Sequence, residues 1–477
     1  MNREDNGLEL TAPSAESVGR LDRALDGLLH FRDDMLDPIR PLLDGEAFFP
    51  LAEAFDAYMT GLSTEARPVA AKRRAFAGFR RRAARHRLTE RERRHLDAAW
   101  RLLTGDLTGT ARDLAGISQR FPQDVLALAV GHQVDFLLGD AVTLRDRIGA
   151  VLPTWPRDDP RYPSLLGMYA FGLEESGHWD YAEELGTEAA DLDAEAVWAI
   201  HAVAHVHEVR ARFDRGAGWL TARRRAWDTA NRLRGHLSWH KGLYLLEAGD
   251  IEAVLLLYDR TLRPGVERNA ALELVNGSSL LWRLHLEGAD VGERFLPQAR
   301  AWSPLVREAW CAFNDMHAVM CHVGSGDLGA AAALIADREA YVRDTPAGLD
   351  NVAVTAELGL PVARAFLAFG RGAHDEVLEL LYPLRRDLRR CGGSHAQRDV
   401  IHQTLIESAV RAGHLDAARV LIGERLAIRP DSPFTWRRHA RAALADGDPE
   451  RAARARRRAE DLAARLGSTS ATGEGIG

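Results

Sequence analysis

Apolar and polar positions along this chain repeat with the period of an α-helix, and the strict alternation typical of strands is weak. What recurs is an Ala/Leu-rich helix, a short turn and a second helix. The clearest copy runs from Trp239 to Leu262 and turns at Gly249-Asp250. A glycine can adopt the left-handed conformation that ends the first helix, and a following aspartate can cap the second. Six more turns of this kind are Gly105-Asp106, Gly177-His178, Gly326-Asp327, Gly372-Ala373, Gly413-His414 and Gly447-Asp448.

Small residues follow these turns, which allows the two helices of a pair to pack closely. They are Ala182, Ala253, Ala331, Ala417 and Ala452. A repeat of about 34 residues with small residues at such positions is typical of tetratricopeptide repeats, although the spacing here is uneven. The pattern predicts an all-α fold, a tetratricopeptide-like right-handed α-solenoid of about eight degenerate helix pairs, with the first helix of each pair on the inner face.

Capping residues predict where two of the helices begin. Thr89 with Glu92, and Ser394 with Gln397, each form the spacing of a capping box. The Asn-Gly pairs at Asn6 and Asn276 lack the flanking alternation of a hairpin. We expect a disordered N-terminus over residues 1–15, a single helical repeat domain over 16–466 and a disordered tail over 467–477.

The composition narrows the class of protein. Hydrophobic residues make up 46% of the chain, and 62 Lys and Arg against 69 Asp and Glu give a net charge of -7. The net charge therefore gives no long-range electrostatic attraction to nucleic acid or to an anionic membrane. Cys311, Cys321 and Cys391 are too few for a disulfide framework and fit a reducing compartment. The N-terminus has no apolar signal-peptide core, and no apolar run approaches the roughly 20 residues that span a bilayer, so we expect a cytoplasmic protein.

One basic run covers residues 71–94 and contains Phe76 and Phe79 at a helical spacing. It could bind an anionic partner, but a solvated arginine-rich helix face is the more common arrangement. The two phenylalanines have the spacing of a packing stripe and not of a base-stacking surface.

Polar side chains that could form a site stand on an otherwise apolar stretch, VWAIHAVAHVHE. On a helix, His201, His205 and Glu208 fall within roughly 60° of one another. Such a group can bind a metal, relay protons or hold a polar ligand, or it can simply bond a neighbouring helix. The spacing is not that of a zincin motif, and His207 points to a different side.

A second histidine pair, His236 and His240, has the same spacing at the start of the clearest repeat. Two such pairs within forty residues, on successive helices, suggest a shared site. Lone histidines are more often ordinary core or surface residues.

Two further polar faces carry candidates of the same kind. Asn314 and His317 share one face, and the neighbouring Asp315 could orient a histidine of another helix. Arg398 and Asp399 share a face with His395 and His402, and the planar guanidinium of Arg398 suits a carboxylate or a phosphate. Inter-helix hydrogen bonds and ion pairs would account for both faces equally well.

Several segments of the chain resemble the tetratricopeptide repeat protein 38 family, over about residues 88–436. They read LTERERRHLDA, DVLALAVGHQ, GMYAFGLEESGHWDYAEEL, VWAIHAVAHVHE, WHKGLYLLEAGDIEAVLLLYDR, AFNDMH and SHAQRDVIHQTLIESAV. Lys241, His395 and the arginine-rich C-terminal helix depart from that pattern.

The resemblance implies a cytosolic repeat protein without an assigned biochemical role. It also implies that a set of polar residues stands at family motif positions, which favours a site over a plain scaffold. That set is His201, His205, His207, Glu208, His236, His240, Asn314, Asp315, His317, Gln397, Arg398 and Asp399.

The expected function is the binding of a small molecule or a peptide in a concave groove. The predicted ligand-binding residues are His201, His205, Glu208, His236, His240, Asn314, Asp315, His317, Arg398 and Asp399. One alternative is an enzyme that uses a histidine as general base at the same site, with or without a divalent metal. The other is a protein scaffold whose partners contact exposed aromatic residues. We expect no cofactor, no bound metal, no nucleic acid and no membrane partner, and the oligomeric state stays open.

Overall fold

The computed structural model describes residues 2–3, 7–45, 47–268, 270–346 and 348–470, and nearly all of its regular structure is helical. Its α-helices, labelled α1 to α27 in chain order, are Ala15–Leu29, Arg40–Asp44, Pro50–Leu62, Ala66–Ala83, Glu90–Leu103, Leu107–Arg120, Val125–Leu138, Ala141–Gly149, Tyr162–Glu175, Trp179–Leu192, Val197–Val209, Phe213–Ala222, Arg224–Trp227, Arg234–Ala248, Ile251–Leu257, Arg263–Arg268, Ala271–Leu286, Phe295–Leu305, Ala312–Gly324, Leu328–Asp344, Asp350–Val354, Leu360–Gly370, His374–Leu381, His395–Arg411, Leu415–Ile428, Pro433–Ala445 and Pro449–Ser470.

Shorter elements connect or extend these helices. Strands β1 and β2, Asn2–Arg3 and Glu9–Leu10, pair antiparallel. Three 3₁₀ turns and two π-helical turns complete the regular structure of the described residues. They are Leu152–Thr154, Gly292–Arg294, Leu388–Cys391, Tyr258–Leu262 and Thr355–Gly359.

Helix pairs stack along the chain, and the all-α solenoid predicted from the sequence is confirmed. The glycine has a positive φ at each of the seven predicted turns. Four more helix pairs turn at Gly139-Asp140, at Gly288-Ala289, at residues 210–212 and at residues 63–65, so the described part of the chain holds eleven such pairs, where about eight were expected. The third turn was missed because its left-handed residue is Ala211, with a φ of 53°, instead of a glycine.

Both predicted capping boxes are present. The Thr89 hydroxyl accepts the backbone N–H of Glu92 at 3.1 Å, and the Glu92 carboxylate accepts that of Thr89 at 2.8 Å. Ser394 and Gln397 make the same two bonds at the start of α24. Phe76 and Phe79 are buried, which confirms that they form a packing stripe on α4.

Described residues near both ends of the chain are ordered, although disorder was predicted there. Leu10 is fully buried, the backbone N–H of Thr11 donates to Glu92 at 2.6 Å, and Ser14 caps α1. The N-terminal prediction is therefore corrected for these residues, because one apolar side chain finds a place in the core. At the other end α27 continues to Ser470, and residues 471–477 of the predicted tail lie outside the described residues.

One apolar stretch, Asp350–Gly370, is long and apolar enough to cross a membrane by length and composition, with a mean hydropathy of 1.5. No apolar run of this length was expected from the sequence. Two thirds of its most apolar window, 67%, is buried inside the protein. A segment buried to this extent is a core helix, and its place in the core explains its apolar composition.

The array of pairs curves back on itself, so that early and late helices meet. The Asn314 side-chain amide donates to the carbonyl of Thr64 at 3.0 Å, across 250 positions of sequence. Thr108 donates its hydroxyl to Asp350 at 2.7 Å. These contacts bring the inner faces of distant pairs together, and the polar faces predicted from the sequence lie in that interior.

Candidate functional site

Four histidines meet between α11 and α14, two adjacent inner helices of the array. His201 Nε2 lies 2.9 Å from His205 Nε2 and 3.0 Å from His236 Nε2. The ring of His240 lies 4.4 Å, centroid to centroid, from that of His205. One ring nitrogen from each of the four lies within 4.8 Å of one from every other, and we call this group the four-histidine cluster. The two i,i+4 pairs predicted from the sequence therefore form one group.

Burial keeps these imidazoles neutral. None of the four residues is more than 5% exposed. Burial, reinforced by the neighbouring rings, lowers the pKa of His201, His205 and His240 well below the usual value. Burial also lowers the pKa of His236 to about 4, against a hydrogen bond to Asn276 that raises it. Four neutral rings present lone pairs, which are what a metal ion or a hydrogen-bond donor needs.

The hydrogen bonds inside the four-histidine cluster are incomplete. His236 Nδ1–H donates to the amide oxygen of Asn276 at 2.9 Å, so His236 Nε2 carries a lone pair in the neutral ring. The described residues provide no hydrogen-bond partner for either ring nitrogen of His240, or for Nδ1 of His201. His201 Nε2 carries either one lone pair or one proton. It can therefore make a well-aligned hydrogen bond with only one of its two close neighbours, His205 Nε2 and His236 Nε2.

A second polar group adjoins the first through His205. His205 Nδ1 lies 3.5 Å from both Glu174 Oε2 and His395 Nε2. His395 Nε2–H donates to Glu174 Oε1 at 2.6 Å, and the backbone N–H of His395 donates to Glu175 at 3.0 Å. Glu174 and Glu175 end α9, whereas His395 begins α24, 221 positions after Glu174.

Charge and burial shift the proton affinities of this second group. Burial lowers the pKa of His395, but the charges of Glu174 and Glu175 raise it to about 9. Burial raises the pKa of Glu174 to about 7, while the attraction of His395 lowers it. A carboxyl group that titrates near neutral pH inside a protein can accept or donate a proton.

Glu208 and His207 lie outside the four-histidine cluster. The Glu208 carboxylate accepts from Arg429 Nη2 at 2.9 Å and lies 3.8 Å from His395 Nδ1. Glu208 therefore belongs with the second group and is neutralised by an arginine. His207 packs against Trp219, and burial lowers its pKa to about 4.

The predicted residues Arg398 and Asp399 are bonded within the protein. Arg398 donates to the carbonyl of Gly393, and its Nη2 lies 3.5 Å from Glu175 Oε2. Asp399 accepts from Arg425 in a bidentate pair at 2.9 and 3.1 Å. Both residues lie close to the second group, but their charges meet protein partners instead of an open surface.

The predicted residues Asn314, Asp315 and His317 stand on α19. Asp315 accepts a hydrogen bond from Arg338 Nη2 at 2.8 Å, so its buried carboxylate is paired with an arginine. His317 Nδ1–H donates to the carbonyl of Phe313 at 2.7 Å, and burial lowers its pKa to about 4. Asn314 is the residue of this face that reaches the interior cavity described next.

An interior cavity of about 290 Å³ lies within the curve of the array. Helices from both ends of the chain line it, from Leu28 of α1 to Gln397 of α24. Most of its wall is apolar or aromatic, including Phe136, Phe171, Trp198, Leu233, Val275 and Trp310. His201 and His236 form part of the wall, so the cavity reaches the edge of the four-histidine cluster.

Sequence reasoning missed Glu174, Glu175 and Arg429 as members of the site. Glu174 and Glu175 lie just before the Gly177-His178 turn, in a segment that carries the family resemblance but no predicted site residue, and Arg429 follows α25 with no motif around it. One signal was available for Glu174 and Glu175. They are two adjacent carboxylates in an apolar helix, GMYAFGLEES. For Arg429 the sequence held none.

Comparison with known proteins adds little to this geometry. No protein-family model matches the chain. Among solved structures it is similar to the crystal structure of the APC/C hetero-tetramer Cut9-Hcn1, with 13% sequence identity and a TM-score of 0.26 over 79% of this chain and 80% of that chain. At that score the likeness supports no statement about fold or function, and both rest on the helices and side chains themselves.

Proposed function

We propose that this repeat protein binds a small, largely apolar molecule in the interior cavity, with a polar group of that molecule directed at His201 and His236. The single observation that carries this proposal is the cavity itself. It is of ligand size, has an aromatic wall and meets neutral histidines at one side. Apolar cavities with a few polar groups in the wall are typical of small-molecule sites.

The lining also indicates which molecules are favoured. Phe136, Phe171 and Trp198 offer ring faces and edges, which suit an aromatic or alicyclic ligand. His236 Nε2 carries a lone pair and can accept a hydrogen bond, and neutral His201 can donate or accept one, which favours an uncharged hydroxyl, carbonyl or amine over an ion. A peptide is disfavoured because a volume of about 290 Å³ suits a small molecule.

Binding can be tested with N-phenyl-1-naphthylamine, a neutral aromatic probe whose fluorescence rises in apolar surroundings. We expect one probe molecule per chain, with energy transfer from Trp198 and Trp310 in the wall. Replacing buried Val275 by Trp fills part of the cavity and should weaken binding at least tenfold, a loss of about 1.4 kcal/mol.

The matched control is Val142→Trp, at a residue that is 53% exposed. It adds the same side chain away from the cavity and should leave probe binding unchanged. Equal weakening in both variants, or no saturable binding to the unsubstituted protein, would count against the cavity as a ligand site.

Enzymatic chemistry at the second polar group, beside the four-histidine cluster, is the second candidate function. The observation in its favour is Glu174, a buried carboxyl group with a pKa raised to about 7, beside His205 and His395. A carboxyl group with a pKa near neutrality can donate a proton to a bound molecule or accept one from it. Conversion of a ligand by the wild-type protein, and its accumulation unchanged in Glu174→Gln, would favour the enzyme.

A scaffold has less support from the surface. Tyr181 is the one aromatic among the exposed large hydrophobic residues in the part of the chain that the structure describes.

Membership of the tetratricopeptide repeat protein 38 family is also proposed, on the segments that resemble it. A cytoplasmic location is supported by Cys311, Cys321 and Cys391, which are all free thiols.

A further inference from the structure

We infer that the four-histidine cluster is a binding site for one divalent first-row transition-metal ion, held by ring nitrogens of His201, His205, His236 and His240. This inference differs from the sequence-based expectation of no metal. It does not depend on the ligand proposed for the interior cavity.

The spacing of the ring nitrogens suits a shared ion. Nitrogens that bind one metal at about 2.0–2.1 Å lie ~2.9 Å apart at a right angle and ~3.4 Å apart at a tetrahedral angle. His201 Nε2 lies 2.9 and 3.0 Å from the Nε2 atoms of His205 and His236, and all four ligand atoms fall within 4.8 Å. His240, whose ring centroid lies 4.4 Å from that of His205, supplies the fourth nitrogen.

An outer hydrogen bond orients the ring of His236 for this role, and a carboxylate lies beside the ring of His205. A metal-binding histidine usually donates its other N–H to a carboxylate or an amide oxygen. His236 does so to Asn276 Oδ1 at 2.9 Å, which leaves its Nε2 free to bind. His205 Nδ1 lies 3.5 Å from Glu174 Oε2, a buried oxygen that has no hydrogen-bond partner among the described residues. A metal on His205 Nε2 would fix the proton on Nδ1, toward that oxygen.

The unpartnered nitrogens of His240 are the independent observation that points to a ligand. His240 is fully buried, and within the described part of the chain neither of its ring nitrogens has a hydrogen-bond partner. Leaving a buried polar atom without a hydrogen-bond partner has a cost in stability. A metal ion bound by His240 would remove that cost. It would also account for three Nε2 atoms that converge although they cannot all hydrogen-bond at once.

The donor set indicates the class of metal. Four neutral imidazoles, without thiolate or water-exposed carboxylate, suit Zn²⁺, Cu²⁺, Ni²⁺ or Fe²⁺ and disfavour Mg²⁺ and Ca²⁺, which prefer oxygen. The carboxylates of Glu174 and Glu175 lie within 3.9 Å of His205 Nδ1. That second group is itself a weaker metal site, because His395 and Arg398 already pair with its carboxylates.

The test is a titration of the full-length protein with Co²⁺ after dialysis against a chelator. The visible absorption of Co²⁺ reports its ligands directly, and we expect one equivalent to bind. With Cu²⁺, the electron paramagnetic resonance spectrum should show splitting from four ring nitrogens. A protein that binds no Co²⁺, or whose Cu²⁺ spectrum shows oxygen ligands only, would overturn the proposal.

Variants locate the ion. His240→Gln should weaken Co²⁺ binding at least tenfold and reduce the nitrogen splitting to that of three rings. The matched control is His207→Gln, because His207 is buried on the same helix as His201 and His205 but faces Trp219. It should bind Co²⁺ as the wild type does.

His236→Gln provides a second variant in case His240→Gln does not fold, as judged by its circular dichroism. Folded His240→Gln or His236→Gln protein that binds Co²⁺ like the wild type would show that the metal is bound elsewhere, and the proposal would then be wrong.

Discussion

His30 and His240 are both buried histidines, and their neighbours give them opposite proton affinities. Neither ring nitrogen of His240 has a hydrogen-bond partner within the described chain, and burial lowers its pKa far below the usual value. His30 donates Nε2–H to Asp193 at 2.9 Å and Nδ1–H to the carbonyl of Asp26. Burial lowers the pKa of His30, but its two aspartates raise it to about 10. The sequence shows two histidines, and the carboxylates that His30 has beside it and His240 lacks decide the charge.

Replacement of His30 by Gln should make the stability of the protein less dependent on pH. Because the folded-state pKa is raised above 6.5, the His30 contribution is full below pH 6.5 and is lost as the pH rises towards about 10. We expect His30→Gln to lower the free energy of unfolding by about 1–3 kcal/mol at pH 6, with the difference shrinking at pH 10. Urea unfolding at the two pH values measures both.

A suitable control is His414→Gln. His414 also pairs with a carboxylate, that of Asp375 at 2.6 Å, but its side chain is half exposed. Exposed ion pairs contribute little, so this variant should change stability by less than about 1 kcal/mol at either pH. A difference for His30→Gln that grows towards pH 10 would contradict the assignment of the raised pKa.

At the scale of elements, a single side chain can begin one helix and bind another. Asp124 caps α7 by accepting the backbone N–H of Ala127 at 2.9 Å. Its other oxygen accepts from Arg91 at 2.6 Å and from His95 at 2.9 Å, both on α5. Burial raises the pKa of Asp124, but Arg91 and His95 together lower it far below its usual value. The cap is visible in the sequence, whereas the buried ion pair depends on how α5 packs against its neighbours.

Asp124→Asn separates these two roles, because asparagine caps a helix as well as aspartate does but carries no charge. We expect a loss of about 3–5 kcal/mol in the free energy of unfolding, since buried Arg91 loses the carboxylate that it binds. Asp140→Asn, at the exposed cap of α8, should change stability by no more than about 0.5 kcal/mol. Equal effects of the two variants in chemical unfolding would show that the cap alone matters.

At the scale of the whole molecule, the return of the array on itself creates the interior. The turn at Gly139 packs against the segment that leads into α24, where a Cβ on Gly139 would strike the carbonyl oxygen of Arg389. The same region of the chain delivers His395 to Glu174 and Gln397 to the interior cavity. The site therefore depends on close backbone contact between pairs far apart in sequence.

Gly139→Ala should loosen this closure. Gly139 has a φ of 66°, and alanine would add left-handed strain and an overlap with the backbone of Arg389, together costing about 3 kcal/mol or more. Gly177→Ala has the same kind of strain, with a φ of 86°, but nothing described lies within 4 Å of its added Cβ. It should cost only about 1–2 kcal/mol.

Hydrogen exchange of the backbone amides shows which helices lose stability in each variant. In Gly139→Ala the amides of α7 and of the start of α24 should exchange faster, whereas in Gly177→Ala only those around its own turn should. Unchanged protection at the start of α24 in Gly139→Ala would show that the contact with Arg389 does not hold the array closed.

The sequence by itself determined the helix pairs, most of their turns, both capping boxes and the shared faces of His201 with His205 and of His236 with His240. These features depend on periodicity, left-handed glycines and side-chain caps, which act within a few residues. Only the tertiary structure decided that the two histidine pairs meet and that His395 arrives 190 positions later beside His205. Only it decided that Asp315 and Asp399 are bound by arginines. Such contacts depend on how the curvature of many packed helix pairs adds up along the chain. No short sequence pattern specifies that total.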